Sequence, residues 1–232
     1  MIPIVIVSYN NWKYVKNMID QLQEIDPSLI LFIMDNNSQE HLTKEYLKTL
    51  SVQVIYKTVN EGPWVDSNTN KDIYDILPER FILTDPDLHF NPKMPKDFIE
   101  HFVSIADKYK CSKVGMALDI SEPDKLINYQ YTDDHTLIEW EEQFWRVKIP
   151  HSTYELYKAK VDTTFCLVTK GAKDFCIRVA GDFTAKHIPW YKENPLYSPE
   201  ELYLFCHSQT NISSSRFILL KFLEETYGLS KS

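Results

Sequence analysis

Four apolar, β-branched runs, each ending in a polar cluster, constrain the fold of this chain more than any other feature. Residues 2–8 are apolar on both alternating sets of positions, as in a strand covered on both faces. Residues 29–34 read as a second buried strand, and residues 52–57 and 81–84 as a third and a fourth strand. Between the first two runs, Trp12, Val15, Met18, Ile19 and Leu22 recur at helical spacing, and Asn10 or Asn11 stands where a helix cap is needed. Residues 41–50 read as a short helix. Residues 64–77 read as a weaker one, after a turn at Asn60-Glu61-Gly62-Pro63. Strand alternating with helix predicts an α/β fold with a mostly parallel central sheet flanked by helices.

In such sheets ligands collect at the carboxyl ends of the strands. The polar clusters there are Ser8-Tyr9-Asn10, Asp35-Asn36-Asn37-Ser38, Asn60-Glu61-Gly62 and Asp85-Pro86-Asp87. The last follows Thr84 directly. An extended segment points Asp85 and Asp87 the same way, and two hard oxygen ligands suit Mg²⁺ or Mn²⁺. An acidic turn explains the same residues without a metal.

The second half is less regular. Residues 96–108 predict an amphipathic helix with Phe98, Phe102, Ile105 and Ala106 inward, and residues 113–118 a strand. Residues 119–135 read as a mobile polar loop, and residues 157–169 and 175–179 as strands. Ser198 begins a helix, with Pro199 at its first position and Glu201 as capping-box partner. Residues 213–227 form the last helix, stopped by Gly228. Without a repeat or linker, one domain is expected over 1–232, with a regular half in 1–90 and a smaller, irregular half in 91–232.

A formal charge of −8 and no basic stripe argue against a nucleic-acid groove. Anionic ligands must then be met locally. Cys111, Cys166, Cys176 and Cys206 show no metal or scaffold spacing, which fits free thiols in a reducing compartment. The N-terminal run lacks a basic leader, and no apolar stretch approaches a membrane span. A cytoplasmic location is expected, with the sequons at Asn36 and Asn211 unglycosylated. Oligomeric state is not legible.

Residues 4–10, residues 32–38, the Asn60-Glu61-Gly62-Pro63-Trp64 turn and the Asp-x-Asp at 85–87 occur in the order and at the strand ends that resemble GT-A glycosyltransferases, especially family 2-like enzymes. Residues 161–165 and 186–191 are similar to segments of small bacterial and viral members. The resemblance covers most of residues 1–192 and is vague over 119–156. It implies a GT-A (Rossmann-like) fold, with 1–90 as the nucleotide-binding half and 91–232 as the acceptor-binding half, and transfer of a sugar from a nucleoside diphosphate sugar, a UDP-sugar first, to a hydroxyl of a glycan acceptor. It implies Mn²⁺ or Mg²⁺ held by Asp85, Asp87 and His187. Asp35 would contact the base, and Ser8, Tyr9, Asn10, Asn60, Gly62, Trp64 and Thr84 would line the donor pocket. Asp162 matches the catalytic carboxylate; a desolvated Asp there would take the acceptor proton in an inverting transfer. Glu141 and Glu142, beside Trp140, Phe144 and Trp145, are rival bases. Ser67-Asn68-Thr69-Asn70-Lys71 replaces the Ala-Arg-Asn-like stretch of many members, which leaves open the basic residue that meets the diphosphate.

A retaining transfer uses the same metal motif. A phosphohydrolase of the haloacid dehalogenase type also uses Asp-x-Asp, but usually on the first strand. A non-catalytic nucleotide-binding module would share the fold.

Overall fold

The computed structural model describes residues 1–209 and 213–230. Asn211, the second sequon, lies outside the described residues. The first half follows the expected alternation: β1 (Ile4–Ser8), α1 (Trp12–Ile25), β2 (Leu31–Asp35), α2 (His41–Thr49), β3 (Gln53–Tyr56), α3 (Lys71–Ile76) and β4 (Arg80–Thr84). The second half adds β5 (Leu88–Phe90), α4 (Phe98–Tyr109), β6 (Cys111–Leu118), α5 (Leu137–Glu142), β7 (Lys148–Ile149), β8 (Leu156–Lys158), β9 (Cys166–Thr169), β10 (Lys173–His187), α6 (Pro199–His207) and α7 (Ser214–Tyr227). All ten strands belong to one sheet, ordered β3-β2-β1-β4-β9-β6-β10-β8-β7, with β5 paired to β10. Strands β5, β8 and β9 run against the others, so the sheet is mostly parallel.

The alternation of side chains explains why the β1 run is apolar throughout. Ile4 and Ile6 join the core under α1 and α4, while Val5 and Val7 join a second cluster with Ile73 of α3 on the other face. Ile82 of β4 faces the first core, and Phe81 and Leu83 face the second. Helix α1 buries Val15, Met18, Ile19 and Leu22, the stripe expected from its spacing.

Several expectations are corrected. The helix over 64–77 shrinks to α3, because Asn70 adopts a left-handed conformation (φ 47°) and its amide holds the carbonyls of Gly62 and Trp64. The strand expected over 157–169 splits into β8 and β9 around a loop that carries Asp162. The strand expected at 175–179 is the middle of the longer β10. Residues 119–135 hold a short 3₁₀ turn, and Leu126 and Ile127 are buried in the core, so this stretch is packed and not a plain polar loop. Neither Asn10 nor Asn11 caps α1 with its side chain. Asn10, at φ 51°, instead accepts from the backbone N–H groups of Gln39 and Glu40, which open α2. No helix among the described residues is long and apolar enough to cross a membrane.

Candidate active site

A cleft of about 1010 Å³ opens at the carboxyl ends of β1, β2 and β4, and its far wall comes from β6, β8, β10 and α7. The parallel pairing of β1 with β2 and β4 brings their ends together, which is why polar clusters far apart in sequence share one mouth.

The Asp-x-Asp segment is fixed from two sides. Asp85 N donates to Thr163 O at 2.8 Å, and the Thr163 hydroxyl donates to the Asp85 carboxylate. Burial, with Asp87 and Asp162 adding negative charge nearby, pushes Asp85 well above the usual carboxylate range. Pairing of β5 with β10 sets Leu88 opposite His187, so His187 Nε2 lies 3.4 Å from Asp87 Oδ2. Ile188 N also donates to Asp87 O at 2.9 Å. Burial would raise Asp87 too, but the neighbouring imidazole outweighs it and holds Asp87 below its ordinary value.

Asp87 Oδ1 and His187 Nδ1 are both buried and have no hydrogen-bond partner among the described residues. Such orphaned atoms are costly unless something meets them. A carboxylate oxygen and an imidazole nitrogen suit a divalent cation. Among the described residues no group of three His, Cys, Asp or Glu side chains converges on one point. A cation here would therefore draw its other ligands from the substrate and water.

The other residues singled out from sequence divide into lining and framework. Tyr9, Asn60, Gly62, Trp64, Glu141 and Asp162 line the cleft together with Asp85, Asp87 and His187. Gly62 needs its positive φ of 90°, and its carbonyl accepts from Asn36 Nδ2 at 2.6 Å. Ser8, Asn10, Asp35 and Thr84 do not line it. Asp35 turns inward: its carboxylate accepts from the Ser38 hydroxyl at 2.5 Å and the Ser38 N–H at 3.2 Å. That is the Asx-turn alternative to base binding. Burial raises its pKa. Ser8 donates to Asn11 Oδ1, and Thr84 to Asp85 O. These four residues shape loops and do not face the ligand space.

Asp162 is exposed in the cleft, not desolvated as expected, and its Oδ1 accepts from Thr163 N at 2.9 Å. Glu141 is 1% exposed and paired with Arg178, itself buried. Burial pushes the Glu141 carboxyl up to about 7, with the guanidinium pulling the other way. Glu142 is exposed and off the cleft.

Two cleft residues, and a glycine that supports the cleft from behind, were missed. Asn36 is 2% exposed, and with its Nδ2 committed to Gly62 its Oδ1 has no partner among the described residues. It stood one position past the Asp chosen from the same motif. Burial lowers the pKa of Arg216, in the first turn of α7, while the nearby carboxylates of Asp87 and Asp85 act in the opposite sense. A lone Arg on an amphipathic helix carries no local signal. Gly115 of β6 gave none either: a Cβ there would stand 2.5 Å from Val161 Cγ1 and 2.9 Å from Cys166 Cβ. Its bareness lets the Asp162 loop lie against the sheet.

No family model matches the chain, and no curated protein does. Solved structures do. A mannosyltransferase from Pyrobaculum calidifontis, in complex with GDP-Man and Mn²⁺, aligns over 100% of this chain and 76% of its own, at 10% identity and a TM-score of 0.50. A mycobacterial protein aligns over the same shares at 12% identity and a TM-score of 0.46. Glucosyl-3-phosphoglycerate synthase from Mycobacterium tuberculosis aligns over 53% of this chain and 45% of its own, at 14% identity and a TM-score of 0.37. At these identities the likeness to the first structure concerns architecture: the chain has a GT-A glycosyltransferase-like α/β fold.

Proposed function

We propose that this protein is a metal-dependent glycosyltransferase. It moves a sugar from a nucleoside diphosphate sugar, a UDP-sugar first, to a hydroxyl of a glycan acceptor with inversion. The observation that carries the reading is that Asp87 and His187, neighbouring side chains that line the cleft with Asp85, each keep a buried atom, Oδ1 and Nδ1, with no partner among the described residues. Asp87 and His187 would hold Mn²⁺ or Mg²⁺, with Asp85 alongside. Such a cation supplies Lewis-acid stabilisation of the departing diphosphate.

The chain's own groups supply the rest. Arg216 adds positive charge on the diphosphate side of the Asp pair, which meets the need for a basic residue that Ser67–Lys71 left open. Asn36 takes the role expected of Asp35. Its Oδ1 is an acceptor for a base N–H such as uracil N3–H. Gly62 and Trp64 close over the nucleoside. Asp162, open to the cleft, takes the proton of the attacking hydroxyl. Glu141 is locked by Arg178 and is the weaker base candidate.

Thermal shift against UDP, GDP, dTDP and CMP, each with and without Mn²⁺, tests the reading, since a ligand selective for the folded state raises the midpoint by mass action. GDP belongs in the panel because the similar mannosyltransferase was solved with GDP-Man and Mn²⁺. A Mn²⁺-dependent rise with one nucleotide, lost in Asp87→Ala and reduced in Arg216→Ala, supports the assignment. No rise with any nucleotide refutes it and turns attention to release of phosphate from phosphomonoesters.

A further inference from the structure

Residues 159–165 join β8 to β9 and carry Asp162 across the sheet. The face they cross is bare at Gly115, where a Cβ would stand 2.5 Å from Val161 Cγ1. Strand pairing sets Arg178 of β10 directly opposite Gly115 of β6, so the Arg178 side chain rises from that same face, beside the loop. Its Nε donates to Lys160 O at 2.8 Å. On the other side of Asp162, Thr163 is tied to Asp85 through both its carbonyl and its hydroxyl. The loop is thus fastened two residues before Asp162 by Arg178, and one residue after it by the Asp-x-Asp segment.

Arg178 is itself held. Its Nη1 donates to the Glu141 carboxylate of α5, and the two side chains are buried, at 4% and 1% exposure. The guanidinium also lies 4.1 Å from the ring centre of Phe144. Trp140 and Phe144, on either side of Glu141 in sequence, line the cleft. One guanidinium therefore joins the aromatic wall, β10 and the Asp162 loop. Stability alone is a weak reason for such a pair. Taking two charges out of water costs about what their attraction returns, and apolar side chains of similar volume often serve as well or better. An apolar pair, however, has nothing to donate to Lys160 O.

We infer that Arg178, held by Glu141, is a positioning residue that fixes the Asp162 loop at one distance from the aromatic wall of Trp140 and Phe144. Its consequence for catalysis rests on the glycosyltransferase reading, in which Asp162 takes the acceptor proton and must stand within hydrogen-bond reach of it. The tie itself stands on the geometry of Arg178, Glu141 and Lys160.

The test is the double variant Arg178→Met/Glu141→Leu, which removes both charges together and leaves neither unpaired. Three quantities are measured on it: thermal unfolding, hydrogen exchange by mass spectrometry over residues 160–165, and release of UDP from UDP-glucose or GDP from GDP-mannose to water with Mn²⁺. Expected are a Tm at or above wild type, exchange about tenfold faster over 160–165 with β6 unchanged, and turnover about 100-fold lower at unchanged donor KM. Arg178→Lys keeps a charge for Glu141 but lacks the Nε–H that meets Lys160 O, so its loop exchange should match the double variant. Unchanged exchange over 160–165 overturns the inference. So does a lower Tm with exchange quickened equally in β6, the mark of a merely structural pair, or wild-type turnover in a variant whose loop exchanges faster. If neither UDP nor GDP with Mn²⁺ raises the midpoint of the wild type, the glycosyltransferase reading fails separately, and exchange over 160–165 still decides the tie.

Discussion

Gly115→Ala should damage this protein far more than one methyl group suggests. The added Cβ would meet Val161 Cγ1 at 2.5 Å, Cys166 Cβ at 2.9 Å and Thr164 O at 3.3 Å. Carbon atoms pack at about 3.5–4.0 Å, so Val161 must retreat by roughly 1 Å. Rotation of the Val161 side chain relieves only the first contact. Cys166 is the residue directly paired with Gly115 across β6 and β9, so the second contact requires the strands themselves to part. Overpacking of this kind costs about 1–3 kcal/mol, and for a chain of this size each kcal/mol lowers Tm by about 2–4 °C. A drop of roughly 3–10 °C is therefore expected. Thermal unfolding by circular dichroism reads it. Adding Val161→Ala should recover part of the loss and leave the Cys166 share. The same displacement moves Asp162, the next residue, and a shift of about 1 Å at a reacting group can cost roughly 100-fold in turnover. A Gly115→Ala protein with wild-type Tm, or one whose loss Val161→Ala abolishes completely, refutes the strand-contact argument.

Asn10→Ala should cost about 1–2 kcal/mol, because it removes the acceptor for the Gln39 and Glu40 N–H groups and puts a Cβ residue without a polar side chain at φ 51°. Urea unfolding checks this, and Asn10→Gly should recover the backbone part only. The Glu141 carboxyl should titrate near 7 in the folded protein, as followed by its ¹³C carboxyl resonance. Its folded value lies above the unfolded one of about 4.3, so the folded state binds the extra proton and this group's contribution to stability falls as pH rises from about 4.3 through 7. A midpoint at or below the ordinary glutamate value would show that Arg178 outweighs burial.

The legible part of the fold was the part written in local periodicity. The β1, β2 and β4 runs name their own elements because both faces of the sheet are covered and successive side chains must all be apolar, and α1 does so by its helical stripe. β9 was hidden inside a longer apolar run. Nothing local distinguishes four strand residues from the loop before them, and its place between β4 and β6 is set by partners far away in sequence. Asp87 was legible as a candidate because a polar residue just past the end of an apolar strand falls at the mouth of the cleft. The site was less legible where a polar residue served its own backbone. Asp35 and Asn36 are neighbours of similar shape, and the turn with Ser38 decided which of them faces inward. Asn10 was expected to cap the helix that follows it and instead accepts from Glu40, 30 positions later, at the start of α2. Arg216 depends on where α7 docks, which amphipathic spacing does not fix.

The insertion of β9 between β4 and β6 has a consequence for how the chain is made. Residues 1–90 contain β1 to β4 in adjacent order, yet the open side of β4 stays unpaired until residues 166–169 have left the ribosome. For the time it takes to synthesise those intervening residues, several seconds at roughly 5–20 residues per second, the nascent chain presents an apolar strand edge. Such an edge is a template for pairing with another chain. Fragments that end before β9 should therefore aggregate even though they hold β1 to β4 in full. Slow translation through residues 91–165 should lower the yield of folded protein more than slow translation after β10.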